Sequence, residues 1–354
     1  MPGLVDAHVH VTATLVDLAK NAELPSSLIA LRTARVMNAM LMRGFTTVRD
    51  LAGADLGLKM AVEEDLIAGP RLVICGKGLS QTGGHGDPRA RTDDRPGFAG
   101  RLGALCRIAD GVEAVRQGAR EEIRVGADFV KIMANGGVAS QVDPIEYLQY
   151  SRDEILAAVE EAQNSKTYVA AHVCTDEAIR RAVECGIHSL EHCNLIRPET
   201  AALAAKAGAI ACPTLAAYEG LALEGEAFGL NAVSVAKIET VRRAGLGSLQ
   251  IMHDAGLPMA YGSDLLGQLH KYQSMEFSIR RRVLEAADIL RSATLIAARL
   301  CRMEGRIGVL APDAFADLLV VEGDPYADIA LLEQPGNLLA IMRGGTFFKN
   351  TLPH

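Results

Sequence analysis

The sequence predicts an α/β fold, a (β/α)8 TIM barrel followed by a small β-module, on three observations. Short apolar runs alternate with amphipathic helical stretches from end to end. A glycine able to close the preceding helix stands before most of those runs, as in Gly44-Phe45, Gly126-Ala127, Gly186-Ile187 and Gly256-Leu257. The texture changes after about Arg302, where helical patterning gives way to short strands and turns.

The expected strands are 2–7, 45–49, 70–75, 127–132, 167–172, 187–191, 209–213 and 258–262. Helices fill the intervals; one begins with the capping box Ser151-Arg152-Asp153-Glu154 ahead of Ile155. Eight such units over about 300 residues match a barrel. A doubly wound open sheet is the alternative, but no GxGxxG follows the first strand. Residues 1–302 are therefore read as the barrel and 303–354 as the small module, with strands at 307–310, 316–321, 338–342 and 346–349. Long Gly-rich loops follow strands 3 and 4, at 76–100 and 135–149. Loops after strands build the active site of a barrel.

Composition narrows the function. The 354 residues suit one large domain with an appendage, and 49% apolar with 22% charged residues is ordinary for a soluble globular chain. A net charge of −7 argues against nucleic acid or an anionic membrane as partner and leaves a small-molecule substrate. There is no apolar stretch long enough to span a bilayer, and Met1 leads directly into a strand, so a cytoplasmic location is expected. Seven cysteines without a CxxC pair read as free thiols, and Cys174 and Cys193 as small hydrophobes rather than zinc ligands.

The chemistry is carried by histidines. His8 and His10 lie two apart at the end of an apolar strand, so both imidazoles leave on one face and form half of a metal site. Lys131 falls late in strand 4, His172 ends strand 5, His192 follows strand 6, and Asp264 follows strand 8. All lie toward the C-terminal strand ends, where this fold places its chemistry.

These residues, together with Thr82-Gly83-Gly84-His85-Gly86-Asp87, Lys131-Ile132-Met133-Ala134-Asn135-Gly136-Gly137-Val138, Ser189-Leu190-Glu191-His192 and Ser263-Asp264-Leu265-Leu266-Gly267, give a resemblance over nearly the whole chain. The chain resembles the amidohydrolase superfamily, in its branch with two metals bridged by a carboxylated lysine. Within it, the likeness is to the imidazolonepropionase-related group of Xaa-Pro and Xaa-Arg dipeptidases and ochratoxinase. The resemblance implies two divalent ions, zinc, with His8, His10 and Asp264 on the more buried one and His172 and His192 on the other. Lys131 would bridge them as an N-carboxylated side chain, and a barrel distorted from the regular form is implied. An unmodified ammonium has no lone pair to offer; burial beside two dications favours the neutral amine, which takes up CO2. The implied reaction is hydrolysis of the amide bond of a dipeptide or N-acyl amino acid, ochratoxin-like amides included. A metal-bridging hydroxide would attack, with Asp264 as general base and acid.

By the same resemblance His85 contacts the substrate carboxylate, and Tyr218 donates to the carbonyl oxygen as an oxyanion-hole element. His270 lines the pocket or supports it from behind, while His188, His253 and His354 are structural or exposed. Arg89, Arg91 and Arg95 read as a solvated loop rather than an anion site. Relatives assemble as homo-oligomers and carry further sandwich strands ahead of the HxH strand. Met1 stands almost on that motif, so the β-sandwich is expected to be partly missing and 303–354 to have open edges. Either the start is misassigned or processed, which would weaken the cytoplasmic reading, or this is a natural short form whose edges a partner subunit covers. Two other readings are weighed. One is a mononuclear, imidazolonepropionase-like cyclic-amide hydrolase or deaminase, against which Lys131 speaks. The other is a catalytically silent metal-binding form, against which Asp264 and Tyr218 speak.

Overall fold

A computed structural model of the chain describes residues 1–138, 140, 142–230 and 232–352. Parallel strands β1 (Leu4–Val9), β2 (Phe45–Asp50) and β3 (Arg71–Ile74) form one sheet. A second holds β4 (Gly78–Ser80), β5 (Cys106–Ile108), β6 (Val130–Met133), β7 (Val169–Thr175), β8 (Ser189–Leu195) and β9 (Ile210–Cys212). Its order is β5-β4-β6-β7-β8-β9, all parallel. The two sheets meet where the Asp128 N–H donates to Ile74 O at 2.7 Å. The helices pack outside. Ile132, Ala171 and Leu190 share one buried cluster with Ile155, Ile179 and Ala201 of the helices. The alternate residues Lys131, His172 and Glu191 are thereby left to face the interior.

The eighth strand departs from expectation. Segment 258–262 forms only the bridge Ala211–Met259, although it closes the ring: Ala260 N–H donates to Ala211 O (2.8 Å) and Ala7 N–H to Tyr261 O (2.7 Å). Pro258 has no N–H, and the Tyr261 N–H is diverted to Ser292 O at 2.9 Å, so no regular ladder develops. Within the stretch read as a long loop after strand 3, Gly78–Ser80 is instead a strand beside β6. Three residues opening on glycine carry no alternation to signal it. The capping box at Ser151 is present in both arms.

The small sheet is an antiparallel meander of β10 (Leu318–Val321), β11 (Leu338–Arg343) and β12 (Thr346–Asn350). The strand expected at 307–310 is absent: Gly308 is left-handed (φ 68°), and a Cβ there would meet Thr294 O at 2.6 Å. Of the edges expected to be open, the outer edge of β10 is met by the chain's own start. Pro2 bridges Leu318, and Leu319 N–H donates to Met1 O at 2.9 Å. Beyond β12 no further strand lies among the described residues.

Candidate functional site

All six sequence-selected ligands gather at the C-terminal mouth, lining one cavity of about 510 Å³ together with Tyr218 and His85. Asp264 is the focus. Its Oδ1 lies 3.3 Å from His8 Nε2 and 3.2 Å from His10 Nε2, and its Oδ2 lies 3.7 Å from His192 Nδ1. The His8 and His192 rings are 5.0 Å apart, and those of His172 and His192 4.4 Å.

Backbone geometry accounts for the convergence. Register pairs Met133 with His172 and Val173 with His192, which brings the ends of β6, β7 and β8 level. Simple alternation would send His192 outward with Leu190. Positive φ at His192 (73°) and Cys193 (55°) breaks it, so His192 turns into the mouth and Cys193 joins the outer cluster. Asp264 is likewise left-handed, at φ 51°. Such conformations persist only where surrounding structure holds them, and they gather at functional sites.

The donor set fits a cation. His10 Nδ1 lies 3.1 Å from Ala52 O, a group that only accepts, so that nitrogen carries the proton. His8 Nδ1 does the same toward the Glu191 carboxylate at 2.8 Å. Both rings therefore present Nε2 to the same Asp264 oxygen, a contact that a proton or a cation between them satisfies. Burial lowers the His8 pKa, but Asp264 and Glu191 outweigh it and raise it, so the pocket favours positive charge at this point. Burial would raise the Asp264 carboxyl, but His8, His10 and His192 together hold it well below its ordinary range. Burial pushes His172 and His192 well below theirs, into the neutral form that a metal ligand requires. Lys131 is 1% exposed, and among the described residues its amine has no hydrogen-bond or ion-pair partner. Burial lowers its pKa.

The remaining predicted residues are placed as follows. The His85 ring stacks on His172 at 4.2 Å and 22°, with Nδ1 3.3 Å from Asp143 Oδ2. Tyr218 is buried against the cavity, and burial keeps its hydroxyl a phenol. His270 is buried with Nε2 3.1 Å from Ala13 O and does not line the cavity. Arg89 and Arg95 do line it, but each is paired with the carboxylate two residues earlier, Asp87 and Asp93; Arg91 stays outside. Cys174 Sγ comes within 3.7 Å of His172 Nε2, and burial raises its pKa to about 12, keeping the thiol intact. His188 packs on Tyr168 away from the cavity, His253 is exposed, and His354 lies outside the described residues.

Two residues escaped the sequence reading. Glu191 and Arg49 are fully buried and paired at 2.8 Å, directly behind His8. Glu191 was visible only as the neighbour of His192, and Arg49 only as a charge ending an apolar strand.

A parallel barrel whose mouth gathers imidazoles, a buried lysine and a carboxylate defines a barrel hydrolase. The chain belongs to the amidohydrolase family: a sequence model of that family matches residues 1–347. It is 32% identical over 365 residues to ochratoxinase of Aspergillus niger, covering 99% of this chain and 75% of that protein. Among solved structures, a prolidase complexed with N-methylphosphonate-L-proline is 48% identical at TM-score 0.97, covering 99% of this chain and 86% of that one. A Xaa-Pro dipeptidase with bound methionine is 27% identical at TM-score 0.86, covering the same shares, 99% and 86%. The protein is thus a hydrolase of amide or peptide C–N bonds, as the resemblance implied. No helix among the described residues is long and apolar enough to cross a membrane.

Proposed function

We propose that the protein is a two-metal hydrolase cleaving the amide bond of a dipeptide of Xaa-Pro or Xaa-Arg type, or of an N-acyl amino acid. The observation that carries this is the buried Lys131 amine, without a hydrogen-bond or ion-pair partner among the described residues, in one cavity with His172, His192 and the two imidazoles, His8 and His10, that face Asp264. His8, His10 and Asp264 would hold one ion, His172 and His192 the other, and Lys131 would serve both after carboxylation. The neutral Nζ attacks CO2, forms the N–C bond and loses a proton to water, and the lysine becomes an anionic oxygen donor. When bound, two zinc ions supply Lewis acidity toward the amide carbonyl and acidify water.

The chain's own groups do the rest. Asp264, ionised by its imidazole neighbours, takes one proton from the attacking water and passes it to the departing nitrogen as the C–N bond breaks. Tyr218, kept protonated by burial, donates to the carbonyl oxygen as charge develops there. His85, held by Asp143 against His172, meets the carboxylate of the substrate's amino-acid half. The names of the prolidase and ochratoxinase relatives support the substrate class.

The test is metal analysis of protein purified with bicarbonate, followed by assays of Xaa-Pro, Xaa-Arg and N-acyl amino acids. About two metals per chain and turnover of at least one class are expected. A ratio near one metal restores the mononuclear reading, and metal-loaded protein that cleaves none of these amides overturns the substrate class.

A further inference from the structure

Behind the mouth lies an ion pair that lines no part of the cavity. Arg49 on β2 and Glu191 on β8 are both 0% exposed, with Nη2 and Oε1 2.8 Å apart. Burying two charges costs more desolvation than their attraction commonly returns, and an apolar pair of similar volume often serves stability as well. What this pair supplies that an apolar pair cannot is a set of directed hydrogen bonds. Arg49 Nε donates to Ala7 O at 2.6 Å, and Nη1 donates to Ser189 Oγ at 3.0 Å. Glu191 divides its two oxygens: Oε1 faces the guanidinium, and Oε2 accepts from His8 Nδ1 at 2.8 Å.

Two consequences follow. A carboxylate only accepts, so His8 keeps a proton on Nδ1 and presents Nε2, the atom 3.3 Å from Asp264 Oδ1, as the position open to a metal ion. The carboxylate itself cannot swing, because Arg49 is fastened to the backbone of Ala7, the residue before His8. Glu191 in turn precedes His192, so one ion pair joins the two strands that carry His8 and His192.

We propose that Glu191, held in place by Arg49, is a positioning residue for His8: it sets the tautomer and aim of that ligand and thereby how tightly the centre retains its metal. Neither residue touches substrate. The proposal rests on the metal reading above. A partner that orients a ligating imidazole is typically worth about 10–100-fold in metal affinity.

The experiment is zinc retention by the full chain, read by competition with a graded series of chelators. Wild type, Glu191→Gln, His8→Ala and the double variant are compared. Glu191→Gln is expected to weaken retention about 10–100-fold. In the His8→Ala background it is expected to cost nothing further, because the ring through which it acts is gone. A purely structural role predicts additive losses instead. Should the single variant fail to fold, Arg49→Met with Glu191→Met leaves no unpaired buried charge and is expected to show the same weakened retention. Unchanged retention in Glu191→Gln or in the Met pair, or additive losses, overturns this proposal while zinc binding by wild type leaves the metal reading standing. Wild type that binds no zinc overturns both.

Discussion

The two sides of the mouth are held by different physics. On one side, His8, Lys131, His172 and His192 ride on or beside parallel ladders, whose register sets where each side chain emerges. Each ladder is a repeated set of backbone bonds, so loss of one side chain leaves the others in position. On the other side, the wall is loop backbone satisfied by single side chains. Asn135 Nδ2 donates to the Ile145 and Tyr147 carbonyls, and its Oδ1 accepts from the Cys174 and Thr175 N–H groups. Lys237, from the helix Ala232–Asp254, donates to the carbonyls of Gly137 (3.0 Å), Ser140 (2.9 Å) and Asp143 (2.6 Å). The candidate ligands are thus built into the scaffold, whereas the wall beside His85 hangs on single side chains. Rigid elements hold reactive groups more exactingly than loops do, and loops vary at less cost to the fold.

This contrast can be broken most severely at Lys131. Lys131→Ala is expected to retain about one metal per chain and lose turnover, by metal analysis beside an amide-cleavage assay. Full activity in that variant would remove the carboxylated-lysine bridge from the account. Tyr218→Phe comes next: kcat is expected to fall about 10²-fold with metal content unchanged, since an oxyanion donor acts only in the transition state. A fall in metal content instead would place Tyr218 on the structural side of the comparison.

The wall gives smaller effects with a different kinetic signature. Lys237→Met is expected to raise KM about tenfold while kcat and bound metal hold, because the three carbonyls it gathers lose their charged donor and the wall loosens. Gly137→Ala is expected to move KM in the same direction, because its Cβ would come within 2.2 Å of the His85 ring. A drop in kcat with constant KM in either variant would show the wall taking part in the chemistry.

An effect on stability and not on turnover concerns His270, whose burial keeps its pKa down to about 4. Its folded pKa lies below the unfolded one, so unfolding takes up a proton between these values. The contribution to stability is present above about pH 6.5 and is lost as pH falls toward 4. Wild type is expected to lose about 2 kcal/mol from this group between pH 8 and pH 5. In His270→Gln, denaturant midpoints at the two pH values are expected to lie closer together; an unchanged pH dependence would assign the loss to other groups.

Much of the site was legible because its signals are local. Period two puts His8 and His10 on one face and turns Lys131 and His172 inward. Chain order along a barrel then brings their strand ends together. His192 was found by its motif, but its inward direction depends on a left-handed backbone that alternation contradicts. Gly78–Ser80 and the segment at 307–310 were misread because a three-residue strand and a glycine-bearing apolar run have no reliable period.

The sequence by itself therefore determined the fold class and the order of the candidate ligands along the chain, through side-chain periodicity and helix punctuation, which act over a few residues. The reaction class followed from the family resemblance that its motifs carry. Tertiary structure alone decided that His8 and His10 meet on one Asp264 carboxylate with His192 beside it, that Lys131 has no hydrogen-bond or ion-pair partner among the described residues, and that Arg49 and Glu191 stand behind His8. Each of those facts is a distance between groups from remote parts of the chain, set only when closure of the barrel brings β1, β2 and β8 together.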